Sequence, residues 1–202
     1  MVGRFTPLSG TYSGDRTTRA LAARLAVPWS VAQRRLHWAM AGLVAANFLL
    51  ALVMVALPLS ALLAKILTYQ LHKSLGLLLI PLWVWRLWLL ARRGRPAPLA
   101  LPGWQQAAAR LGHGALYALL IAVPVLGFLS AAAAPIGVET VFFLILPIPH
   151  PFPPDQALYD VLRPLHQGAA WGLVVLALGH AAMAIHHHRR GLPVLRLMWR
   201  GT

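Results

Sequence analysis

Four long apolar segments constrain the fold of this chain more than any other feature. They occupy about residues 36–57, 71–91, 111–132 and 165–185, and each approaches the roughly twenty residues that a helix needs to cross a hydrocarbon core. Prolines lie between the segments, where they end helices. Pro81 and Pro124 lie inside the second and third segments and are expected to bend those helices. The sequence therefore predicts an all-α integral membrane bundle of four helices.

The amino-acid composition supports a membrane protein and excludes several kinds of site. The 202 residues are 59% hydrophobic and only 11% charged, whereas a soluble domain carries about 25% charged residues. The chain has no cysteine, which excludes disulfides, thiolate metal sites and iron–sulfur clusters and leaves histidine as the expected metal ligand. Only four carboxylates are present, so hydrolysis by paired carboxylates and carboxylate metal cages are not expected.

The distribution of positive charge predicts the orientation of the bundle. The net charge is +14, and most Lys and Arg residues lie in the N-terminal arm, the link between the second and third segments, and the tail. Only Lys65, Lys73 and Arg163 lie on the other side. Because cytoplasmic segments of membrane proteins carry the excess of Lys and Arg, both termini are expected in the cytoplasm. The charge is attributed to this topology, and no nucleic-acid partner is expected.

The chain divides into two predicted regions. Residues 1–30 form an N-terminal cytoplasmic arm, with an interfacial helix expected over about residues 17–32. Residues 31–202 form the four-helix transmembrane domain. The longest connection, about residues 139–159, contains a proline-rich run that predicts a stiff, extended cover on the outer face. His150 lies in this run and is expected to be exposed to solvent.

Histidines recur near the ends of the apolar segments at two depths. His166 and His180 are fourteen residues apart, so both imidazoles lie on one stripe of a helix, roughly 21 Å apart along its axis. With the predicted orientation, His72 joins His166 in an outer layer. His37 joins His180 in an inner layer, and His113 is a further inner candidate. Intramembrane ionisable groups are usually functional, and two layers of imidazoles are what bis-histidine ligation of two b-type haems requires.

The residues leave other interpretations open. Glycines and alanines around His166 and His180 would admit a planar cofactor, but they also suit ordinary packing of membrane helices. A histidine-lined metal transporter without haem is disfavoured because the apolar segments contain no carboxylate. The run 186–188 is interpreted as a surface basic cluster, although His187 lies on nearly the same helix face as His180 and could line a cytoplasmic pocket.

Three basic side chains near the two layers also have alternative roles. Arg86 is fourteen residues after His72, at the inner layer, where it would either pair with a haem propionate or extend to the membrane interface. Lys73 and Arg163 flank the outer layer. They would either hold the outer propionates or attract an anion to that face.

Several motifs follow one another in a specific order over residues 30–200. They are Arg35-Leu36-His37-Trp38, His72-Lys73-Ser74-Leu75-Gly76, Leu111-Gly112-His113-Gly114-Ala115-Leu116-Tyr117 leading to Pro124 and Gly127, His166, the run from Gly179-His180 to His187, and Leu195-Arg196-Leu197-Met198. In this order and spacing the chain resembles the bacterial cytochrome b561 family of four-helix di-haem membrane cytochromes. The resemblance implies two haem b per chain, ligated by His37, His72, His166 and His180.

The resemblance also implies electron exchange with quinone in the bacterial inner membrane. Some members are similar to superoxide oxidases, which pass an electron from superoxide outside to ubiquinone. Others are haem-bearing anchors for a periplasmic or membrane dehydrogenase, and both roles stay open here. His113, His187 and Arg110 are the candidates for contact with a quinone carbonyl. The tail departs from the family pattern, with Arg190-Gly191-Leu192-Pro193 where an acidic residue is common.

Overall fold

The computed structural model describes residues 29–94 and 101–200. Four long helices follow one another along the chain: α1 (Val31–Ala56), α2 (Leu62–Arg93), α3 (Gly103–Ala133) and α4 (Gln156–Arg189). Each is long and apolar enough to cross a membrane, which confirms the predicted four-helix integral membrane fold. A short helix α5 (Val194–Trp199) ends the described chain. The N-terminal arm, with most of its predicted interfacial helix, lies outside the described residues.

The helices extend beyond the apolar segments because polar groups cap their ends. Ser30 accepts the Gln33 backbone N–H, and the Gln33 side chain accepts from the Ser30 backbone, so a reciprocal capping box begins α1. The Asp155 carboxylate accepts the Leu158 N–H and begins α4. Lys65 Nζ donates to the carbonyls of Met54 and Leu57 at 3.1 and 2.7 Å. It therefore satisfies carbonyls at the end of α1 that lack a partner within that helix.

The long helices pack in chain order, so that α4 packs mainly against α3. Helix α1 packs on α2, α2 on α3, and α3 along α4. Among these described helices, the backbone of α4 has no comparable packing against α1 or α2. The small apolar core between α1 and α2 is formed by Leu36, Met40, Leu79 and Leu89. A space between α4 and the α1–α2 pair is therefore bridged mainly by side chains.

A two-stranded hairpin departs from the extended cover that was expected on the outer face. Strands β1 (Thr140–Phe142) and β2 (Leu146–Ile148) pair antiparallel. The Gln70 side chain donates to the Glu139 carbonyl and accepts the Val141 N–H, while Ser74 Oγ accepts the Phe143 N–H at 2.8 Å. Ser74 is one helical turn nearer the middle of α2 than Gln70, so the turn of the hairpin points along α2 into the spanning region. Its backbone polar groups are tolerated at this depth because buried side chains of α2 satisfy them.

Candidate functional site

The outer pair of histidines joins α2 to α4. The ring centroids of His72 and His166 are 6.2 Å apart, with an interplanar angle of 76°. The Nδ1 atom of His72 lies 3.2 Å from the Asn47 carbonyl, and that of His166 lies 3.0 Å from the Val123 carbonyl. Because a carbonyl oxygen only accepts, each Nδ1 carries the proton. Each Nε2 therefore has a free lone pair, which is the form of imidazole that binds a metal.

The ring of His166 lies against a position on α3 where only glycine fits. A Cβ atom on Gly127 would lie 2.8 Å from Cε1 and 3.1 Å from Nδ1 of His166. Gly127 follows Val123, whose carbonyl holds the same ring, by one helical turn. Pro124 lies between them and contributes no N–H to the helix ladder. This turn of α3 therefore positions the imidazole by one hydrogen bond and by the absence of one side chain.

Sequence reasoning missed two residues of the outer site. Asn47 is buried on α1, and its backbone carbonyl accepts a hydrogen bond from His72. The Oδ1 atom of its side chain has no hydrogen-bond partner among the described residues. Gly127 was noted only as part of a motif. The sequence contained two signals for them. Asn47 is a single asparagine within an apolar segment, and Gly127 lies one helical turn after Val123, the residue that precedes Pro124.

The inner site brings together all three of its predicted histidines. The ring centroids of His37 and His180 are 6.3 Å apart, with an interplanar angle of 78°. The ring of His113 is closer to that of His180, at 5.2 Å. The site thus contains one pair spaced like the outer pair and a third ring packed beside it.

Arg86 lies close to this inner group. Its guanidinium is within electrostatic range of His37 and His180. Its Nε donates to the Tyr117 hydroxyl at 3.1 Å, and Nη1 is 3.5 Å from the Gln33 carbonyl. These contacts keep the half-buried guanidinium within the bundle, next to the histidines. The side chain therefore does not extend to the membrane interface.

The spacing of the rings fits iron ligation by two imidazoles at each level. Two imidazoles on opposite sides of one metal ion have ring centroids about 6.3 Å apart, because the metal–nitrogen bond is about 2.0–2.1 Å and the nitrogen lies about 1.1 Å from the centroid. The two pairs at 6.2 and 6.3 Å match this separation, and the 5.2 Å separation of His113 from His180 does not. The weak backbone packing of α4 against α1 and α2 is consistent with a group bound between these helices. The residues therefore fit two haem b groups.

The described residues contain no alternative cage for a bare metal ion. No group of three or more histidine or carboxylate side chains within residues 29–94 and 101–200 is arranged to hold one. The described residues therefore provide no such metal site in support of the metal-transporter interpretation.

The basic residues of the outer face differ in how far their charged groups are already bonded within the protein. Lys73 Nζ donates to the Val138 and Glu139 carbonyls at 3.1 and 3.4 Å, so it fastens the outer loop to α2. Lys65 is occupied at the end of α1, as described above. Arg163 is exposed and lies over the Tyr159 ring, with 5.9 Å to the centroid. Arg163 is therefore the most accessible of the three predicted outer cations.

The expectation that His150 is solvent-exposed is wrong in part, because the hairpin half-buries it. Its Nε2 lies 3.0 Å from Thr140 Oγ1, and its ring packs edge-on against Phe128. Burial lowers the pKa of His150, as does the positive charge of Lys73, while Glu139 acts in the opposite direction. His150 and Glu139 also line a cavity of about 390 Å³ under the proline-rich run.

The remaining candidates for quinone contact are spread over the other end of the bundle. His187 is half-buried near the end of α4, and Arg110 is exposed near the start of α3. Of the three candidates, the described contacts place only His113 against the ring of His180.

Comparison with known proteins gives a family and a relative. The family described as Prokaryotic cytochrome b561 matches residues 28–201. The chain is also similar to a protein of Escherichia coli (strain K12) called Cytochrome b561 homolog 2. The two are 39% identical over 125 residues, which cover 59% of this chain and 63% of that relative. The match thus spans slightly less than two thirds of the relative's length.

Proposed function

Because the chain belongs to the prokaryotic cytochrome b561 family, and is thereby a membrane haem b cytochrome of electron transfer, we propose that it binds two haems. One would lie between His72 and His166, and the other between His37 and His180. The observation that carries this count is the equal spacing of the two ring pairs, 6.2 and 6.3 Å. The two imidazoles of each pair would hold the haem, which would supply one-electron transfer.

The protein groups around each pair have distinct tasks in this proposal. The carbonyls of Asn47 and Val123 fix the tautomer and orientation of the outer imidazoles. Arg86, held by the Tyr117 hydroxyl, supplies a cation for a carboxylate at the inner level. The apolar faces of the four helices exclude water from both levels.

We further propose that electrons pass between the outer, periplasmic face and the quinone pool of the bacterial inner membrane, with superoxide as the donor. The support on the outer side is positive charge, with Arg163 exposed and Lys73 next in sequence to His72. Such charge attracts a small anion, and the attraction is screened by salt. On the inner side, His113 lies beside His180 and is the first candidate for a donor to a quinone carbonyl, and Arg110 and His187 are the others.

A second candidate function is that of a haem-bearing anchor subunit without activity of its own. The observation that favours it is the apolar surface of the outer loop before the hairpin, where Ile136 and Val138 are 86% and 46% exposed. A periplasmic or membrane redox partner would cover such a surface.

One experiment on the purified, haem-loaded protein separates these functions. A pyridine haemochrome assay should give two haem b per chain. Superoxide should then reduce the protein, at a rate that falls as ionic strength rises and falls further in Arg163→Gln. Arg189→Gln, at the opposite end of the bundle, is the control and should not change the rate. A reduction rate that depends neither on ionic strength nor on Arg163 would favour the anchor subunit. A haem spectrum without turnover of superoxide or quinol would favour it too.

A further inference from the structure

A second cavity lies at the opposite end of the bundle from the hairpin. It has a volume of about 500 Å³ and is lined by Val31, Arg34, Arg35, Trp38, Met198 and Trp199. None of these residues belongs to the two histidine pairs. The cavity is formed where the short helix α5 returns to the first turns of α1.

Hydrogen bonds between α1 and α5 give this cavity a defined shape. Arg34 Nη1 donates to the Trp199 carbonyl at 2.8 Å, and Trp38 Nε1 donates to the Met198 carbonyl at 3.1 Å. The two indole rings pack edge to face, with centroids 5.1 Å apart. The tail of the chain is therefore fastened to α1, and the side chains of both elements line one concave surface.

The charge that the described residues contribute to this cavity is positive. Arg34 and Arg35 contribute two guanidinium groups, and the buried Nε of Arg34 has no hydrogen-bond partner among the described residues. The described carboxylates are Glu139 beside the hairpin, Asp155 at the N-cap of α4 and Asp160 near the start of that helix, all at the other end. The cavity therefore provides donors for an anion, and none of these carboxylates lies there to supply one.

Apolar surface lies directly beside the two cations. Trp38 is 40% exposed, Trp199 is 69% exposed and Val31 is 53% exposed. Tryptophan with arginine is typical of the level where the headgroups of a bilayer meet its acyl chains. A ligand that satisfies both halves of this site must join a phosphate-like anion to long apolar chains.

We propose that this cavity binds the headgroup of an anionic phospholipid. Its phosphate would accept hydrogen bonds from Arg34 and Arg35, since guanidinium groups suit the geometry of phosphate oxygens. Its acyl chains would lie along Trp38 and Trp199. The bound lipid would hold α5 against α1 and so fasten the tail at the membrane surface.

The test uses the full chain, purified with its haem in a detergent free of phospholipid. Phosphatidylglycerol and phosphatidylcholine with the same acyl chains are titrated separately, and the melting temperature and the number of retained lipids are measured. Phosphatidylglycerol should raise the melting temperature more strongly, with one molecule retained. Arg35→Gln should weaken its binding about tenfold, because a charge-assisted hydrogen bond is lost. Arg189→Gln, an exposed arginine outside the cavity, is the matched control and should bind like the unsubstituted protein.

Two further arms identify the source of the phosphate and guard against a folding defect. Inorganic phosphate should not reproduce the effect of phosphatidylglycerol; equal stabilisation by both would overturn the lipid assignment. Equal binding of phosphatidylglycerol and phosphatidylcholine would also overturn it, as would undiminished binding in Arg35→Gln. If Arg35→Gln fails to fold, as judged by its haem spectrum, Trp199→Ala is the second variant. It changes a largely exposed residue and should weaken binding several-fold, and unchanged binding would overturn the proposal.

Discussion

At the scale of single residues, the geometry around each imidazole distinguishes ligand candidates from neighbours. His72 and His166 each direct Nδ1 at a backbone carbonyl, which leaves Nε2 for iron. His37 and His180 have the centroid spacing that two axial ligands require, whereas His113 is too close to His180 to be its partner across an iron. The inner choice between His37 and His113 therefore depends on about 1 Å of separation.

The first residue-scale prediction is that loss of ligands is specific to one level. His72→Ala and His166→Ala should remove the outer haem, and His37→Ala and His180→Ala the inner one. Each variant should retain about one haem per chain by pyridine haemochrome assay, because the levels share no ligand. His113→Ala is the control and should retain two. An empty inner site in His113→Ala with a filled one in His37→Ala would reverse the inner assignment.

The second concerns Gly127. In Gly127→Ala the new methyl group would meet the His166 ring at 2.8 Å, so the imidazole must shift from its carbonyl partner. Changes to groups that orient a metal ligand typically weaken metal affinity about 10–100-fold, and the outer haem should be lost or poorly retained. In Gly103→Ala, at the start of the same helix, nothing lies within 4 Å of the added Cβ, so this control should retain both haems. Full retention in Gly127→Ala would contradict the proposed role of this turn of α3.

At the scale of elements, α2 carries two functions on opposite faces. His72 faces His166 on one side of α2. Gln70 and Ser74 are offset from His72 by roughly half a helical turn, and they bind the hairpin on the other side. The turn residues Phe143 and Leu144 have positive φ angles of 47° and 61°, which non-glycine residues rarely adopt. The hydrogen bonds to α2 therefore stabilise a hairpin whose own turn sequence does not favour it.

We predict that Ser74→Ala loosens the hairpin. The substitution removes the partner of the Phe143 N–H at the fully buried Ser74, and an unsatisfied donor of this kind should cost about 1–3 kcal/mol. Faster hydrogen exchange over residues 140–148 and a lower melting temperature would show this. Thr68→Ala is the control, because the Thr68 hydroxyl bonds only to carbonyls of its own helix, and it should leave exchange in the hairpin unchanged. Unaltered exchange in Ser74→Ala would mean that the hairpin is held by other contacts.

At the scale of the whole molecule, opposite charges separate along the bundle axis. The described carboxylates all lie in the outer loop or near the start of α4, whereas arginines accumulate at the other end, near α5 and the ends of α2 and α4. The positive end is expected to face the cytoplasm, and it contains the inner histidine group and the proposed phospholipid site.

The corresponding prediction is that both termini lie in the cytoplasm and the hairpin loop lies outside. A reporter active only in the cytoplasm should be active when fused at Thr202 and inactive when inserted near Asp155. The reverse pattern would exchange the outer and inner levels, and with them the expected sites of superoxide and quinone.

The sequence alone determined the four spans, the family and the two depths at which histidines recur. Spans are set by the length of apolar runs, and depths by the spacing of residues on one helix, so both depend on local pattern. The helix ends were underestimated, as in α4, which begins at Gln156 well before its apolar segment. Polar caps extend a helix without adding hydropathy.

Only the tertiary structure decided features that depend on contacts between distant parts of the chain. His166 meets Val123 across 43 positions and Gln70 meets Glu139 across 69, so no local pattern could pair them. The same holds for the cavity between α1 and α5, where Arg34 and Trp199 are 165 positions apart. Differences of about 1 Å between imidazole separations depend on how whole helices pack, and helix packing is a property of the assembled bundle.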